Sequence, residues 1–545
     1  MTAIGNRQWA MGKGRTAKVK GETVKGETGV SPAGGDEQEG PRYPPLAGVA
    51  PKATGVDADK NSTFSLPFAV CRLPYLRPVR RNKNIILENV TVEEYAAEGK
   101  SLARVEGKVV FVADAVPGDT IDIRLGKNKK DWAEGRPIRF HSYSHDRVEP
   151  FCRHFGVCGG CQWQMLPYEK QLRYKQKQVY DNLTRIGKLV LPVFEPIAAA
   201  HPETRYRNKL EYTFGNKRFL LPGELHNEDI STRMNVAGFH AKGLFDKVVD
   251  IIECHLQHEP TNDIRIAVKD YALDHAYSFY DIREHTGFMR TMQVRLCRSG
   301  ELMVNIVFGE DDEQKRNALL DYIHYRFPSI TTLLYTINTK KNDSLHDLSP
   351  VTWSGRGYVM ETLEGYQFKI GPKSFFQTNT YQAETLYRIT RDFAELTGNE
   401  TIYDLYCGTG SIGIFLSSGA KKIIGVEMIS EAVEDAQENA ALNGIGHAQF
   451  FTGDVSVVCD AAFFEKHGRP DVIITDPPRA GMSEALVNKI LELEAPLVVY
   501  VSCNPATQAR DLNILKEKYA VTRVRPVDMF PHTHHIENVV QLRLK

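Results

Sequence analysis

The sequence predicts a multidomain α/β protein: a C-terminal Rossmann-like domain of seven strands, an N-terminal OB-like β-barrel, and a central α+β domain between them. Three observations carry this prediction. At 545 residues the chain is too long for a single core, since domains cluster near roughly 100–200 residues. From residue 402 onward β-type and helical runs alternate regularly, and the first turn between them is rich in glycine. Between 85 and 140, short β-type runs are separated by glycine-containing turns, the pattern of a small barrel.

Lysine plus arginine and aspartate plus glutamate number 68 each, so the formal net charge is zero. No global field then draws the chain to nucleic acid, and any such binding has to come from local basic patches. No apolar run approaches the roughly 18 residues that span a bilayer, and the N-terminus lacks a hydrophobic signal core. A cytoplasmic monomer without membrane partners is expected. Cysteines stand at 71, 152, 158, 161, 254, 297, 407, 459 and 503, an odd count that argues against a disulfide framework.

Residues 1–80 are rich in Gly, Pro, Lys and Glu and repeat Lys-Gly-Glu-Thr at 20–23 and 25–28. Too few apolar residues are present for a core, so a disordered extension is predicted. Its basic residues from Arg7 to Lys25 read as a solvated tail, with RNA contact as the alternative. Arg77, Arg80, Arg81 and Lys83 mark the start of ordered chain.

The barrel is placed at 82–145, with strands at 85–90, 101–105, 108–112 and 120–125. Ala113-Asp114-Ala115-Val116-Pro117-Gly118-Asp119 resembles the TRAM domain, an RNA-binding OB-like module. Lys127, Lys129, Lys130 and Arg136 follow, with Trp132 and Phe140 nearby. This is the mixture of cations and rings that single-stranded RNA uses, and a solvated basic face fits equally.

The central domain is placed at 146–355. It opens on Cys152-x5-Cys158-Gly159-Gly160-Cys161, where the glycines let the loop fold around one centre, and Cys254 is the best fourth ligand. Four thiolates suit a tetrahedral zinc or a four-iron four-sulfur cluster, and spacing does not choose between them. A polar helix is predicted over 162–186, strands at 210–214, 290–297, 302–307 and 331–338, and a helix over 311–325. Arg205-Tyr206-Arg207-Asn208-Lys209 is a second cluster of cations and rings, equally compatible with an exposed strand start.

The catalytic domain is placed at 356–545. A loop over 370–379 leads into a helix at 380–396. The strand at 402–405 ends in Tyr406-Cys407-Gly408-Thr409-Gly410-Ser411, and the next strand ends at Glu427. Glycines permit close backbone approach to a nucleotide, and an acid at the second strand end takes ribose hydroxyls. Later strand ends carry Asp454, then Asp476-Pro477-Pro478-Arg479, then Ser502-Cys503-Asn504-Pro505, with His535-Ile536-Glu537 before the last strand. A lone cysteine is more often packing than chemistry. Here it stands at a strand end, where open α/β sheets bind ligands.

The form D-L-x-C-G-x-G resembles class I S-adenosylmethionine methyltransferases. With Asp-Pro-Pro-Arg, Ser-Cys-Asn-Pro and His-Ile-Glu, residues 83–545 resemble the RNA uracil-5-methyltransferase family, in its branch with a TRAM domain and an iron–sulfur cluster. The resemblance implies Cys503 as nucleophile, Glu537 as base, and Cys152, Cys158, Cys161 and Cys254 as ligands of a 4Fe-4S cluster. It implies methyl-donor contacts at Gln377, Tyr406, Ser411, Glu427, Asp454 and Asp476, of which Tyr406 and Ser411 match where the family varies. The implied reaction is S-adenosyl-L-methionine-dependent formation of 5-methyluridine, on 23S ribosomal RNA in preference to transfer RNA.

The residue types suit that chemistry. Uracil C5 becomes nucleophilic once a thiolate adds at C6, and a base must then take the C5 proton before the thiol leaves. Asp476 and Gln377 can pair with the base edge, and the base must be flipped out of structured RNA. Plainer roles stand beside these. Glu427 and Asp454 fit helix N-caps, Cys407 fits packing, and Phe375 and Phe376 fit either the flipped base or the core. His532, His534 and His535 lack a completing ligand for a metal. Arg479 fits an RNA phosphate contact or the ordering of the Asp476 loop. Two further functions compete: an amino-methyltransferase on adenine or guanine, which needs no cysteine, and a non-catalytic RNA-binding scaffold.

Overall fold

Alternating apolar residues build the first sheet from six short strands: β1 (Ile86–Thr91), β2 (Glu94–Tyr95), β3 (Ser101–Val105), β4 (Lys108–Val112), β5 (Thr120–Asn128) and β6 (Trp132–Ser142). In this computed structural model the described residues are 85–545 without 193, 225, 226, 228 and 229. The expected N-terminal extension, the basic run before Lys83 and Cys71 therefore lie outside the described residues. The strand order is β1-β5-β6-β4-β3-β2, around a core that includes Val90, Val110, Ile121 and Ile123. β6 lies outside the predicted strands, and it carries Gly135 and Pro137, residue types that ordinarily interrupt a ladder. Gly135 is needed there: a Cβ would meet Ile123 Cγ2 at 2.5 Å and the Arg124 carbonyl at 2.8 Å. The basic patch is thus the tip of the β5–β6 hairpin, where Lys127 pairs with Glu134 at 2.9 Å and Lys129 and Lys130 are exposed.

The predicted 162–186 helix begins later, as α1 (Tyr168–Asp181), and closes in a π turn (Asn182–Ile186). Pro167 holds the entry, since the residue before a proline avoids helical backbone. The second sheet comprises β7 (Lys209–Gly215), β8 (Val236–His240), β9 (Val248–Asp250), β10 (Met289–Leu296), β11 (Leu302–Phe308), β12 (Thr332–Ile337) and β13 (Val351–Ser354). Its order is β13-β12-β11-β10-β7-β8-β9. Leu210, Tyr212, Val294 and Val304 pack with α2 (Thr261–Asp274) and α3 (Glu313–Arg326). The pairings Thr291 with Thr213, Gln293 with Glu211 and Arg295 with Lys209 put polar residues on the opposite face. A hairpin, β14 (Val359–Leu363) and β15 (Tyr366–Ile370), follows.

α4 (Thr380–Ala394) leads into the third sheet: β16 (Thr401–Leu405), α5 (Ser411–Leu416), β17 (Lys422–Glu427), α6 (Ser430–Leu442), β18 (Ala448–Thr452), α7 (Val455–Val458), α8 (Ala461–His467), β19 (Val472–Thr475), α9 (Glu484–Leu493), β20 (Leu497–Ser502), α10 (Pro505–Leu515), β21 (Tyr519–Val527) and β22 (Glu537–Leu544). The order is β18-β17-β16-β19-β20-β22-β21, parallel through β20 and antiparallel at β22 and β21. This is the predicted seven-stranded Rossmann-like sheet. Its strands are apolar on both faces, with Ile402, Ile474 and Val499 in one layer and Tyr403, Ile473 and Val498 in the other. Val179 and Leu183, from the region before the second sheet, join the second layer. Among the described residues no helix is long and apolar enough to cross a membrane.

One buried ion pair fastens α1 to this sheet. Lys175 Nζ lies 2.6 Å from Asp528 Oδ1, with both side chains 0% exposed. Asp528 also accepts from the Tyr168 hydroxyl at 2.8 Å and from the Phe530 N–H at 3.0 Å. Removing one partner of a buried pair strands the other charge. Lys175→Met is therefore expected to cost about 3–5 kcal/mol, read by urea unfolding, and adding Asp528→Leu should recover part of it. Equal loss in the single and double variants would show that the pair is not coupled.

Candidate active site

Strand order in the third sheet reverses between β16 and β19, and such a switch point opens a crevice at the C-terminal strand ends. Tyr406, Glu427, Asp454, Asp476 and Cys503 all stand at or just after these ends. β22 runs antiparallel, so its first residue, Glu537, lies at the same edge. The register sets Ser502 opposite Asn538, which brings Cys503 and Glu537 to adjoining ends of paired strands.

The turn after β16 is tightly constrained. Tyr406, at φ +62°, and Cys407 donate their N–H groups to the Val426 carbonyl at 3.0 and 3.3 Å. Gly408, at φ +53°, donates its N–H to Glu427 Oε2 at 3.1 Å, and the Ile429 N–H donates to Glu427 Oε1 at 3.0 Å. Glu427 is thus oriented by the loop it faces. A Cβ added at Gly408 would meet no atom within 4 Å, so the loop borders open space that a ligand can enter. Ser411 opens α5 and shares a hydrogen bond with the Tyr387 hydroxyl at 2.9 Å. Asp454 is exposed and caps α7, accepting from the Ser456 N–H at 2.8 Å, as the plainer expectation had it. Burial first, and then the Asp454 charge, raise the Tyr406 hydroxyl. Cys407 is buried, and burial pushes its thiol well above the usual range.

Sequence reasoning missed Asp404, although it stands inside the D-L-x-C-G-x-G motif. Its Oδ2 accepts the Gly413 N–H at 2.9 Å, while Oδ1 is buried with no partner among the described residues. Burial, with Asp476 and Glu427 nearby, pushes its carboxyl up to about 7. Gln377 is buried, and its side-chain carbonyl likewise has no partner among the described residues. Asn208, from the second cation cluster, donates to the Gln377 backbone carbonyl at 3.3 Å and to Thr380 Oγ1 at 2.9 Å. The paired phenylalanines divide: Phe376 is core at 2% exposure, whereas Phe375 is 63% exposed.

Arg479 joins the remaining loops. Its carbonyl accepts from Asn504 Nδ2 at 3.0 Å and Thr507 Oγ1 at 3.3 Å, and its Nη2 donates to His535 Nδ1 at 2.8 Å. Gln508 and Asn538 tie α10 to the start of β22 through a 2.7 Å bond. Burial is the main cause that pushes His532 and His534 down to about 4 and His535 to about 2, so all three are neutral near pH 7.

Cys152, Cys158, Cys161 and Cys254 are free thiols. Burial raises Cys158, and the charges of the other three raise it further, so the four lie in one neighbourhood. Cys161 and Cys254 are pushed by burial up to about 12 and about 11. Among the described residues no three His, Cys, Asp or Glu side chains are arranged to hold a single metal ion.

A family profile described as tRNA (Uracil-5-)-methyltransferase matches residues 355–545, and the TRAM domain profile matches 88–138. An uncharacterized RNA methyltransferase of Bacteroides thetaiotaomicron is 51% identical over 453 residues, covering 83% of this chain and 100% of that protein. Its counterpart in Porphyromonas gingivalis is 49% identical, covering 83% and 98%. Among solved structures, the Pyrococcus abyssi tRNA (uracil-54, C5)-methyltransferase in complex with S-adenosyl-L-homocysteine is 27% identical with a TM-score of 0.64, covering 83% of this chain and 100% of that one.

Asp404 gives a pH test. An unfolded aspartate titrates near about 3.9, and in the folded chain this one titrates near 7. The folded state then binds more protons between those values, so this carboxyl's contribution to stability falls as pH rises from about 4 to about 7. Asp404→Asn is expected to gain stability on the native chain over that window, read by urea unfolding. A pH-independent difference would contradict the assignment.

Proposed function

The chain belongs to the RNA uracil-5-methyltransferase family, and on that premise we propose that it methylates C5 of a uridine in RNA, ribosomal RNA by preference, with S-adenosyl-L-methionine as methyl donor. The observation that carries this reading is the antiparallel pairing that brings Cys503 and Glu537 to adjoining strand ends, beside the Gly408, Glu427 and Asp476 crescent. An amino-methyltransferase or a scaffold has no use for that pair. The preference for ribosomal RNA rests on a TRAM match together with four neighbouring cysteines. Transfer RNA, the substrate in the Pyrococcus abyssi relative's name, is the competing pool. A monomer working in the cytoplasm, with separate barrel, central and catalytic domains, completes the reading.

The donor's adenosine and amino-acid parts would be held by Glu427, Tyr406, Ser411 and Asp454 around the open space at Gly408. Asp476, half-buried at the same strand edge, favours its positive charge. Cys503 Sγ bonds to uracil C6, and the C5=C6 electrons become an enolate. C5 takes the sulfonium methyl, and a neutral thioether leaves. Glu537 then accepts the C5 proton, the C6–S bond breaks, and the double bond returns. Asp476 and the Gln377 side chain pair with the base edge, where a donor at O4 stabilises the enolate. Exposed Phe375 offers a ring to the flipped base, a role that buried Phe376 cannot fill.

The four cysteines fit a metal centre by their donor type and shared neighbourhood. The preference for an iron–sulfur cluster over zinc rests on the sequence resemblance, since among the described residues the four do not close on a single ion. Bound there, it would cross-link the Cys152–Cys161 loop to Cys254, and no reaction step uses it.

RNA containing 5-fluorouridine tests the chemistry, because fluorine cannot leave C5 as a proton. With methyl donor present, a denaturation-resistant adduct is expected for the intact protein and none for Cys503→Ala. Absence in the first or persistence in the second defeats the mechanism. On ordinary RNA, Glu537→Gln is expected to accumulate adduct and lose turnover by about 10²–10⁴-fold, and normal release would place the base elsewhere. Mapping 5-methyluridine in ribosomal and transfer RNA from cells lacking the protein identifies the pool. For the metal, a visible absorption band abolished by Cys158→Ser is expected, and a colourless zinc-containing protein would overturn the cluster.

A further inference from the structure

The cluster Arg205-Tyr206-Arg207-Asn208-Lys209 has no part in the chemistry above, yet four of its residues have evident structural tasks. Arg205 pairs with Glu253 at 3.0 Å. Tyr206 donates its hydroxyl to the Pro531 carbonyl, and the Arg207 guanidinium sits 5.5 Å from the centre of the Phe530 ring. Asn208 holds Gln377 and Thr380. Lys209 is different. It begins β7 directly opposite Arg295 of β10, so two cations meet on the sheet face turned away from α2 and α3.

Like charges directly opposite on a ladder repel, and taking them out of water adds to the cost. Lys209 is half-buried and Arg295 is 4% exposed. Among the described residues no carboxylate lies within ion-pairing distance of the Lys209 ammonium; nearby Glu211 is exposed and accepts from Gln293 Nε2 at 3.1 Å. Burial, and then the Arg295 charge, push the Lys209 ammonium down to about 8. The pair also has a definite location. Arg295 Nη2 lies 3.5 Å from the Ser374 carbonyl, in the loop that carries Phe375 and Gln377. The same residue is anchored through its side chain, where Ser374 Oγ donates to Asp435 Oδ2 at 2.6 Å.

We propose that Lys209 and Arg295 form a phosphodiester-binding site that grips the RNA backbone beside the flipped uridine, at the Ser374 end of the base-binding loop. It rests on the RNA-methylation reading above. A phosphate between the two cations relieves their repulsion, and its negative charge needs no sequence-specific partner. The site therefore fixes where the backbone lies while the crevice reads the base. Free inorganic phosphate shares this chemistry, so both sources enter the test.

The test measures binding of an oligouridylate dodecamer to the full chain without methyl donor, by fluorescence anisotropy across a sodium chloride series. Lys209→Gln is expected to weaken binding about tenfold at low salt and to shrink the log–log salt slope by about 0.7, one phosphate contact on a single strand. Lys209→Arg should keep both values near those of the native chain. Because the substitution removes a repelling charge, Lys209→Gln is also expected to melt at the same or a higher temperature. A lysine of merely structural importance would lower it. Unchanged affinity and slope in Lys209→Gln overturn the site. Calorimetric binding of inorganic phosphate that is lost in Lys209→Gln, with dodecamer affinity unchanged, assigns the pair to a free anion and overturns it as well. The adduct assay on 5-fluorouridine RNA separates this proposal from the one beneath it. At saturating RNA, Lys209→Gln should still form the Cys503 adduct, whereas failure of the native chain to do so defeats the chemistry and leaves the binding measurement to decide the phosphate site.

Discussion

The buried pair of Lys175 and Asp528 is the constraint on which the reactive edge depends. An ion pair out of water is favourable only when its remaining hydrogen-bonding capacity is also met. Here Lys175 Nζ donates to the Phe530 carbonyl at 3.0 Å besides Asp528, and Asp528 accepts from Tyr168 and the Phe530 N–H. Those bonds fix the chain just after β21. One turn earlier on the same helix, Gln171 accepts the His532 N–H at 2.8 Å, and the Gln162 and Trp163 N–H groups donate to the His532 carbonyl. A helix outside the third sheet therefore sets the path of the segment that delivers Glu537.

The same segment joins the cysteine neighbourhood to the crevice. Cys161 immediately precedes Gln162, and both Cys161 and Cys254 pack against the core that contains Met529 and Phe530. The barrel reaches it too, because the Trp163 indole donates to the Gly99 carbonyl at 3.3 Å and Gly99 abuts His534. Neutral histidines suit this position. Charged imidazoles there would lie near Lys175 and Arg479 in a buried setting.

Where strands are buried on both faces, hydrophobic runs make them legible, and the third sheet was accordingly read strand for strand. Strand ends in such a sheet have a known polarity, so the sequence alone puts Glu427, Asp454, Asp476 and Cys503 on one edge. The barrel hairpin was less legible, because Gly135 and Pro137 break the pattern that the ladder tolerates. Side-chain pairings across long separations left no local trace. Lys175 and Asp528 are 353 positions apart, and each alone reads as a solvated charge. Phe375 and Phe376 are the same residue type in adjacent positions, and only burial tells them apart. Lys209 was visible as a cation, but its confrontation with Arg295 depends on a strand register that neither segment specifies alone.

Arg479 holds its two neighbours by different means. The Cys503 side is bound through a main-chain carbonyl, which every amino acid possesses, whereas the Glu537 side is bound through the guanidinium at His535. The nucleophile's loop is therefore blind to the identity of residue 479, and the loop before Glu537 is not. Mutational drift at this one position can loosen the acid's approach while the thiol's hydrogen-bonded partners stay in place. Only half of the clasp depends on which side chain stands at 479.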